Sequence, residues 1–94
     1  MYSINFRSRA YKDMEKIELY YNSIDTALFE SFKHELYKML DILLIFPNIC
    51  QLSYRNIRIG FLGSFSYAVH YEVREQAVVI HTILHTSQER NTEL

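Results

Sequence analysis

Hydrophobic and polar residues alternate at the start of the chain, where residues 2–8 read YSINFRS. Tyr2, Ile4 and Phe6 occupy every second position, and polar residues stand between them. A period of two is typical of a strand with one buried face, so this strand must join a sheet to hide that face. The pattern leaves open which strand it pairs with. Ser8 then offers a hydroxyl group that is suited to cap a helix.

The period changes to that of a helix over residues 9–23, RAYKDMEKIELYYNS. Steps of four, three and four draw one apolar stripe along this helix, made of Ala10, Met14, Ile17 and Tyr21. Charged residues fall off the stripe and are expected to face solvent, namely Asp13, Glu15, Lys16 and Glu18. Asn22 and Ser23 break the pattern, and Asp25 is a good N-cap for a second helix.

The second helix has the clearest pattern in the chain. Its apolar stripe consists of Phe29, Phe32, Leu36, Leu40 and Leu43, widened by Leu28, Met39 and Leu44. Pro47 cannot continue a helix and pushes Phe46 toward extended geometry, so the helix should end near residue 45. Because the loop between the two helices is short, they are predicted to be antiparallel neighbours in an αα-hairpin.

Strand patterns return after the proline in three segments. QLSYRNIRIGF (51–61), SFSYAVHYEV (64–73) and AVVIHTIL (77–84) are rich in β-branched and aromatic residues. The last segment is almost continuously apolar and should be the most buried strand. We therefore predict an α+β fold with the order β-α-α-β-β-β, in which the helical hairpin packs on one face of a small antiparallel sheet. The whole chain, residues 1–94, is expected to form one domain.

Composition narrows the class of protein. The chain is 49% hydrophobic and 15% aromatic, which suffices for a small core, and its net charge of −1 argues against a general nucleic-acid binder. Any nucleic-acid role must therefore depend on a local basic patch. No apolar run approaches the roughly 20 residues that span a bilayer, so no membrane partner is expected. The single cysteine, Cys50, excludes an internal disulfide and fits a reducing compartment, so a cytoplasmic location is expected.

The sequence predicts neither a cofactor site nor a metal site. His81 and His85 have the spacing H-x-x-x-H, but on a strand they would share a face and lie roughly 13 Å apart, too far for one zinc ion. Gly60 and Gly63 are not followed by a helix that would bind phosphate. The serines lie in no G-x-S-x-G motif, and Cys50 has no basic sequence neighbour, so an inert thiol is expected.

Three residues of the strands form a candidate catalytic set. Arg58 alternates with Ile57 and Ile59, so if the helices cover the isoleucines, Arg58 faces the open side of the sheet. Tyr67 on the next strand and His85 at the end of the last strand would join it there. Arginine supplies a fixed charge and histidine titrates near neutral pH, so together they would bind a phosphate and transfer a proton. In the alternative interpretation, Tyr67 packs and Arg58 is solvated.

The order of these features resembles the RelE/ParE superfamily, the toxin half of bacterial type II toxin–antitoxin pairs. The opening is similar to the family's strand followed by "A…D…I…YY", here Ala10, Asp13, Ile17, Tyr20 and Tyr21. The middle is similar to its "A…F…L…L…P" helix, here Ala27, Phe32, Leu36, Leu40 and Pro47. The end, YRNIRIGFLGSFSYAVHYEV followed by VVIHTILHTSQER, resembles plasmid-stabilisation-type members. Each element is short, but together they cover nearly the whole chain.

The resemblance implies a fold, a partner and a choice of activities. It implies two helices against a small antiparallel sheet, and a cognate antitoxin protein that wraps the toxin with an extended, partly helical tail. RelE-like members cleave messenger RNA in the ribosome through attack of the 2′-hydroxyl on the neighbouring phosphate, whereas ParE-like members inhibit DNA gyrase by binding. A third alternative is a degenerate module that binds the antitoxin without being toxic.

For the nuclease alternative, the resemblance implies basic residues on the second and third strands and an ionisable residue near the C-terminus. Arg58 and His85 match those positions. Ala68, however, stands where the nucleases often have arginine, the tail SQERNTEL lacks the family's aromatic residue, and the chain is not strongly basic. These departures favour a toxin that is not a nuclease or is a weakly active one. His85 has two interpretations, a general acid or base and a residue that holds the C-terminal tail by a hydrogen bond.

Overall fold

The computed structural model describes residues 2–87. The elements in chain order are β1 (Ser3–Phe6), α1 (Ser8–Asn22), α2 (Thr26–Ile45), β2 (Leu52–Tyr54), β3 (Ile57–Phe61), β4 (Tyr67–Arg74) and β5 (Ala77–His85). The strands form one sheet in the order β1-β5-β4-β3-β2. Strands β2 to β5 are an antiparallel meander, whereas β1 runs parallel to β5 and supplies the pairing that the sequence left open. The predicted α+β fold, with a helical hairpin on one face of the sheet, is confirmed.

Both helices are confirmed, and their apolar stripes form the core. The buried helical residues are Ala10, Ile17, Phe29, Phe32, Leu36, Leu40 and Leu43. They pack against Leu62, Val69, Tyr71, Val78, Ile80 and Ile83 of the sheet side. Asp25 caps α2 as predicted, because its Oδ1 accepts a hydrogen bond from Ala27 N at 2.9 Å. The predicted cap at Ser8 is wrong, since Arg7 occupies the N-cap position of α1 and makes no side-chain cap bond.

The segment 51–61 forms two strands, although its sequence predicted one. Strands β2 and β3 are joined by a tight turn at Arg55 and Asn56, and Arg55 has a φ of 49°. A positive φ usually requires glycine, since another residue there costs about 1–2 kcal/mol. No glycine marks this turn, so the sequence gives little sign of it. The consequence is a fifth strand, β2, at the edge of the sheet.

Asp13 does not simply face solvent, contrary to the prediction. Strand β1 ends at Phe6, opposite Ile80, so β1 does not pair with the following part of β5. Asp13 of α1 takes its place, because its Oδ2 accepts a hydrogen bond from Ile83 N at 3.0 Å and another from the Thr82 hydroxyl. A buried N–H without an acceptor would cost about 1–3 kcal/mol. The carboxylate therefore ties α1 to the sheet.

The sheet has a helix-covered face and an open face. Residues directly opposite each other in neighbouring strands share a face. Val69 and Tyr71 of β4 belong to the core beneath the helices, so their partners Gly60 and Arg58 in β3 lie on the helix-covered face too. The close approach of α2 agrees with this, since a Cβ added at Gly60 would lie 3.0 Å from Met39 Cε. The opposite face, which we call the open face, carries the alternate residues, Ile57, Ile59, Phe61, Ala68, His70 and Glu72. Ile59, Ala68 and His70 in its middle are nevertheless buried.

Candidate functional site

Arg58 lies on the helix-covered face, so the prediction that it faces the open side is wrong. Its Nη1 donates hydrogen bonds to Cys50 O at 2.6 Å and to Asn48 O at 3.2 Å. Both carbonyls belong to the loop that leads from α2 to β2, and the guanidinium holds this loop in place. Alternation with Ile57 and Ile59 gives the correct period, but it does not tell which of two faces the helices cover.

Tyr71, the residue opposite Arg58, holds the same loop. Its hydroxyl donates a hydrogen bond to Pro47 O at 2.8 Å. Burial, together with a hydrogen bond to Cys50, raises the pKa of Tyr71, so the phenol stays protonated and keeps donating at neutral pH. Arg58 and Tyr71 therefore act together as a structural anchor for residues 46–51.

The structure does bring Tyr67 and His85 together, as opposite residues of β4 and β5 at the margin of the helix-covered face. Their ring centroids are 5.3 Å apart with an interplanar angle of 84°, an edge-to-face contact. Tyr67 also packs against Phe32 at a centroid distance of 5.6 Å. Burial raises the pKa of Tyr67, with a smaller effect of Tyr20, so its hydroxyl is protonated at neutral pH. Tyr67 is thus unsuited to act as a base.

His85 is half-buried at the end of β5 and contacts the residues that follow the strand. Ser87 N donates a hydrogen bond to His85 Nδ1 at 3.2 Å, and Ser87 Oγ lies 2.9 Å from the same nitrogen. Because a backbone N–H can only donate, Nδ1 is the acceptor, and the neutral ring carries its proton on Nε2. This geometry supports the interpretation of His85 as a residue that holds the chain after β5 by a hydrogen bond, at Ser87. A role as general acid or base stays a prediction.

Arg58 is far from the pair of Tyr67 and His85. It stands opposite Tyr71, and the four positions from Tyr71 to Tyr67 along β4 span roughly 13 Å. The groove beside the pair has a volume of about 490 Å³ and is lined by Tyr20, Tyr21, Ser64, Phe65, Ser66, Tyr67, His85 and Ser87. These described lining residues include no lysine or arginine. A neighbouring groove of about 510 Å³, which Tyr67 also lines, does contain cations, namely Arg9, Lys12 and Lys16. Among the described residues, the cations near the pair therefore come from α1 and not from Arg58.

A larger groove, of about 910 Å³, crosses the open face between the start of α1 and the β2–β3 turn. Its arginine, glutamate and histidine residues are Arg7, Arg9, Arg55, Arg74, Glu72 and His81, and we call this surface the arginine groove. Four of the chain's ten lysine and arginine residues line it, although the net charge is −1. Any nucleic-acid role of a chain with this net charge requires a local basic patch, and the arginine groove is such a patch.

Glu72 is the centre of a small polar network in the arginine groove. Its Oε2 accepts a hydrogen bond from Arg74 Nε at 2.9 Å, and its Oε1 lies 3.0 Å from His81 Nε2. The hydrogen bond from Arg74 lowers the pKa of Glu72, and His81 adds to the effect, so the carboxylate is ionised at neutral pH. One carboxylate faces four arginines among the described lining residues, and the groove keeps a net positive charge.

A β-bulge in β5 brings His81 to the arginine groove. The register shifts between His70 and Tyr71 of β4, so β5 contains one extra residue, His81. His81 lies on the open face against Glu72, whereas His85 lies on the helix-covered side. The prediction that the two histidines share a face is therefore wrong. Within residues 2–87, no three histidine, cysteine or acidic side chains lie close enough to hold a metal ion.

The arginine groove was missed by sequence reasoning because its arginines come from three separate places. Arg7 and Arg9 flank the start of α1, Arg55 lies in the β2–β3 turn, and Arg74 ends β4. No two of them are adjacent in sequence, and only the strand order brings the three places to one side. The usable signal is that each stands at the end of an element, where side chains from neighbouring strands meet.

A third surface of interest is apolar. Six large side chains from the end of α2 to β3 are between 47% and 67% exposed, namely Ile42, Ile45, Phe46, Ile49, Leu52 and Phe61. We call these residues the apolar surface. Ile42, Ile49 and Phe61 line one groove of about 320 Å³ together with Met39. Exposed apolar side chains that share a groove in this way are typical of interaction sites.

Comparison with known proteins adds to this geometry. Residues 4–90 match the family model described as the ParE toxin of the type II toxin–antitoxin system parDE. None of the curated proteins matches the chain. Neither helix within residues 2–87 combines the length and hydrophobicity that crossing a bilayer requires.

Three solved structures resemble this one. The chromosomal ParDE toxin–antitoxin system from P. aeruginosa has a TM-score of 0.76 at 13% identity, over 90% of this chain and 96% of that chain. The isolated E. coli RelE toxin has a TM-score of 0.64 at 21% identity, over 100% of both chains. The intact E. coli RelBE toxin–antitoxin complex has a TM-score of 0.63 at 23% identity, over 88% of this chain and 94% of that chain. At such low identities the likeness concerns the fold alone.

Proposed function

This chain belongs to the ParE toxin family of type II toxin–antitoxin systems, and we propose that it inhibits growth by binding its target rather than by cleaving RNA. The proposed target is DNA gyrase, which the resemblance to ParE-like members implies. A cognate antitoxin protein is proposed to neutralise the toxin. Inhibition by binding needs complementary surfaces and no catalytic set.

The position of Arg58 carries this proposal. RNA transesterification needs a group that takes a proton, a cation that stabilises the phosphorane, and a group that protonates the leaving oxygen. Tyr67 and His85 are in contact, but Arg58 lies roughly 13 Å away along the sheet and its Nη1 is bonded to two loop carbonyls. The three residues therefore do not share one substrate site, which supports binding over cleavage.

The apolar surface supports the antitoxin part of the proposal. The similar structures from P. aeruginosa and E. coli are described as toxin–antitoxin systems or complexes. Covering one large apolar side chain stabilises a complex by about 1.5–3 kcal/mol, so several of them can hold an amphipathic segment. Ile45, Phe46 and Ile49 are at least 60% exposed and would contribute most.

Ile49→Asp tests the antitoxin surface. It places a charge in the apolar surface, and we expect the affinity for the cognate antitoxin to fall by tenfold or more, because about 1.4 kcal/mol corresponds to a factor of ten. Lys12→Ala, an exposed change on α1 outside this surface, is the matched control. Isothermal titration calorimetry measures both. Equal affinity of the Ile49→Asp variant and the parent would show that the antitoxin binds elsewhere.

Two assays separate the activities. Purified toxin is added to a gyrase supercoiling reaction, and primer extension on messenger RNA is carried out after induction without the antitoxin. We expect inhibited supercoiling, double-strand DNA breaks in cells and intact RNA. Discrete RNA cleavage between codons with unaffected supercoiling would overturn the proposal. Normal growth with folded, soluble toxin would instead support the degenerate module.

A ribosome-dependent endoribonuclease is the second candidate, and the contact between Tyr67 and His85 favours it. For this chemistry the half-buried imidazole would act in its cationic form, which gives one proton to the leaving oxygen and becomes neutral, and a cation other than Arg58 would have to stabilise the phosphorane. For this candidate, His85→Ala abolishes RNA cleavage and relieves toxicity while the protein stays folded. A His85→Ala variant that is as toxic as the parent would remove it.

A further inference from the structure

We propose that the arginine groove binds the phosphodiester backbone of duplex DNA. This inference goes beyond the proposed function, because it assigns a ligand to the open face, whereas the antitoxin is proposed to cover the apolar surface. The inference does not depend on gyrase, since it concerns the chain's own affinity for DNA.

Charge is the first argument. Arg7, Arg9, Arg55 and Arg74 are all exposed and line one groove. The planar guanidinium group binds phosphate oxygens through two parallel hydrogen bonds, so arginine suits a phosphodiester better than a point charge does. Glu72 lies against Arg74 and His81, and it leaves three arginines without an acidic neighbour among the described lining residues. The groove therefore offers about three strong phosphate contacts.

The spacing of the arginines is the second argument. Arg7 follows β1, and Arg55 lies in the turn that begins β3. Strands β5 and β4 stand between β1 and β3, so three inter-strand steps of about 4.8 Å separate the two sides by roughly 14 Å. One phosphate group cannot contact both sides at once. A ligand that contacts both sides of the groove must therefore carry several negative charges along its length.

Linear charge density distinguishes DNA from an acidic protein segment. Duplex DNA carries one negative charge per about 1.7 Å of its axis. An extended acidic peptide carries at most one charge per residue, or one per roughly 3.3 Å. The duplex therefore presents about twice as many anionic groups along the same length of groove. Its rigid backbone also holds phosphates at fixed spacings that arginines on a sheet can match.

The aromatic content of the groove favours a duplex over a single strand. Proteins that bind single strands stack the bases on exposed aromatic rings. Among the described lining residues the tyrosine is Tyr54, and it is half-buried. Its hydroxyl lies 2.9 Å from His70 Nδ1, and its ring lies 5.9 Å from the His70 ring. Because Tyr54 packs against the sheet in this way, backbone contacts without base stacking are expected.

Fluorescence anisotropy with a labelled 20-base-pair duplex and the purified full chain tests the proposal. Three phosphate contacts predict a slope of log affinity against log salt near −2.7, so affinity falls roughly fortyfold between 50 and 200 mM salt. Binding without sequence preference is expected. Absence of binding at 50 mM salt, or a slope near zero, would overturn the proposal.

Single charge changes test whether this groove is the binding surface. Arg9→Gln and Arg55→Asn should each weaken binding roughly threefold to tenfold and reduce the salt slope by about one. Asparagine tolerates the positive φ at position 55, so Arg55→Asn should fold as well as the parent. Lys38→Ala is the control, because it removes the same charge from an exposed position of α2 on the helix side. Equal weakening by all three variants would contradict binding at the groove.

Competing ligands complete the test. A single-stranded RNA of the same length and a polyglutamate peptide are titrated under identical conditions. We expect the duplex to bind at least fivefold more tightly than either, given its charge density and the absence of stacking. Tighter binding of the RNA or the peptide would overturn the assignment to DNA. Because gyrase is not in this assay, failure here and failure of gyrase inhibition are independent results.

Discussion

The two faces of the sheet contain similar residues that serve different purposes. On the helix-covered face, Arg58 donates hydrogen bonds to loop carbonyls and holds the chain between α2 and β2. On the open face, Arg55 and Arg74 remain exposed and contribute charge to a groove. The difference teaches that an arginine's role is set by whether a second layer covers its face. Backbone acceptors bind it in the first case, whereas in the second it faces solvent or, as Arg74 does, an acidic side chain.

Replacing one arginine on each face should give the largest difference in the free energy of unfolding. Arg58→Ala leaves Cys50 O and Asn48 O without their charged donor and should lower the free energy of unfolding by about 3 kcal/mol. Arg55→Asn removes an exposed arginine at positive φ and should change it by less than about 0.5 kcal/mol. Urea denaturation of both variants gives these values. Similar losses in the two would contradict the assigned roles.

Asp13 and Glu72 allow the same comparison of stabilising roles between two acidic residues. Asp13→Ala removes the acceptor of Ile83 N and of the Thr82 hydroxyl and should cost about 2 kcal/mol of unfolding free energy. Glu15→Ala, on the exposed side of the same helix, is the matched control and should cost less than about 0.5 kcal/mol. Thermal unfolding monitored by circular dichroism is sufficient. If the control is as costly, helix propensity rather than the strand contact explains the loss.

Substitutions of two glycines compare a tightly packed position, Gly60 in β3, with an uncrowded one, Gly63. Gly60→Val brings new atoms against Met39 and Cys50, whose nearest atoms lie 3.0 Å from an added Cβ, and should cost about 1–2 kcal/mol. At Gly63 an added Cβ meets nothing within 4 Å, so Gly63→Ala should be nearly neutral. Urea midpoints of the two variants decide between tight and loose packing. A neutral Gly60→Val would mean that α2 and the loop can move away from β3.

The smallest effect concerns pH on the open face. Arg74 and His81 lower the pKa of Glu72 below its unfolded value, so the ionised carboxylate stabilises the fold above that unfolded pKa. This contribution is lost as pH falls through the lowered folded pKa. Glu72→Gln should therefore reduce the dependence of the melting temperature on pH below about pH 5. An unchanged pH profile in the variant would show that solvent screens the interaction completely.

The helices were predictable because the sequence signals of a helix lie within a few positions of one another. The stripe from Phe29 to Leu43 repeats at helical spacing, Asp25 caps its start, and Pro47 follows its end. The hairpin between β2 and β3 was not predictable by the same means. Arg55 adopts a positive φ, and no glycine stands at this position to indicate a turn. The segment therefore looks like one strand in sequence although it forms two.

The candidate site was predictable only in part. Tyr67 and His85 meet because both lie at the ends of adjacent antiparallel strands. Arg58 does not join them, since alternation along a strand assigns two faces without saying which one the helices cover. The bulge at His81 likewise depends on the register between β4 and β5, which no local pattern reveals.

The order of elements, the core stripes of both helices and the kinship with the RelE/ParE superfamily were therefore determined by the sequence itself, because periodicity and chain-breaking residues act within a few positions. The tertiary structure alone decided which face carries Arg58 and whether arginines from three distant places share a groove. Those outcomes depend on strand register, strand order and the side on which the helices pack. Each is settled by contacts between residues that are far apart in the chain.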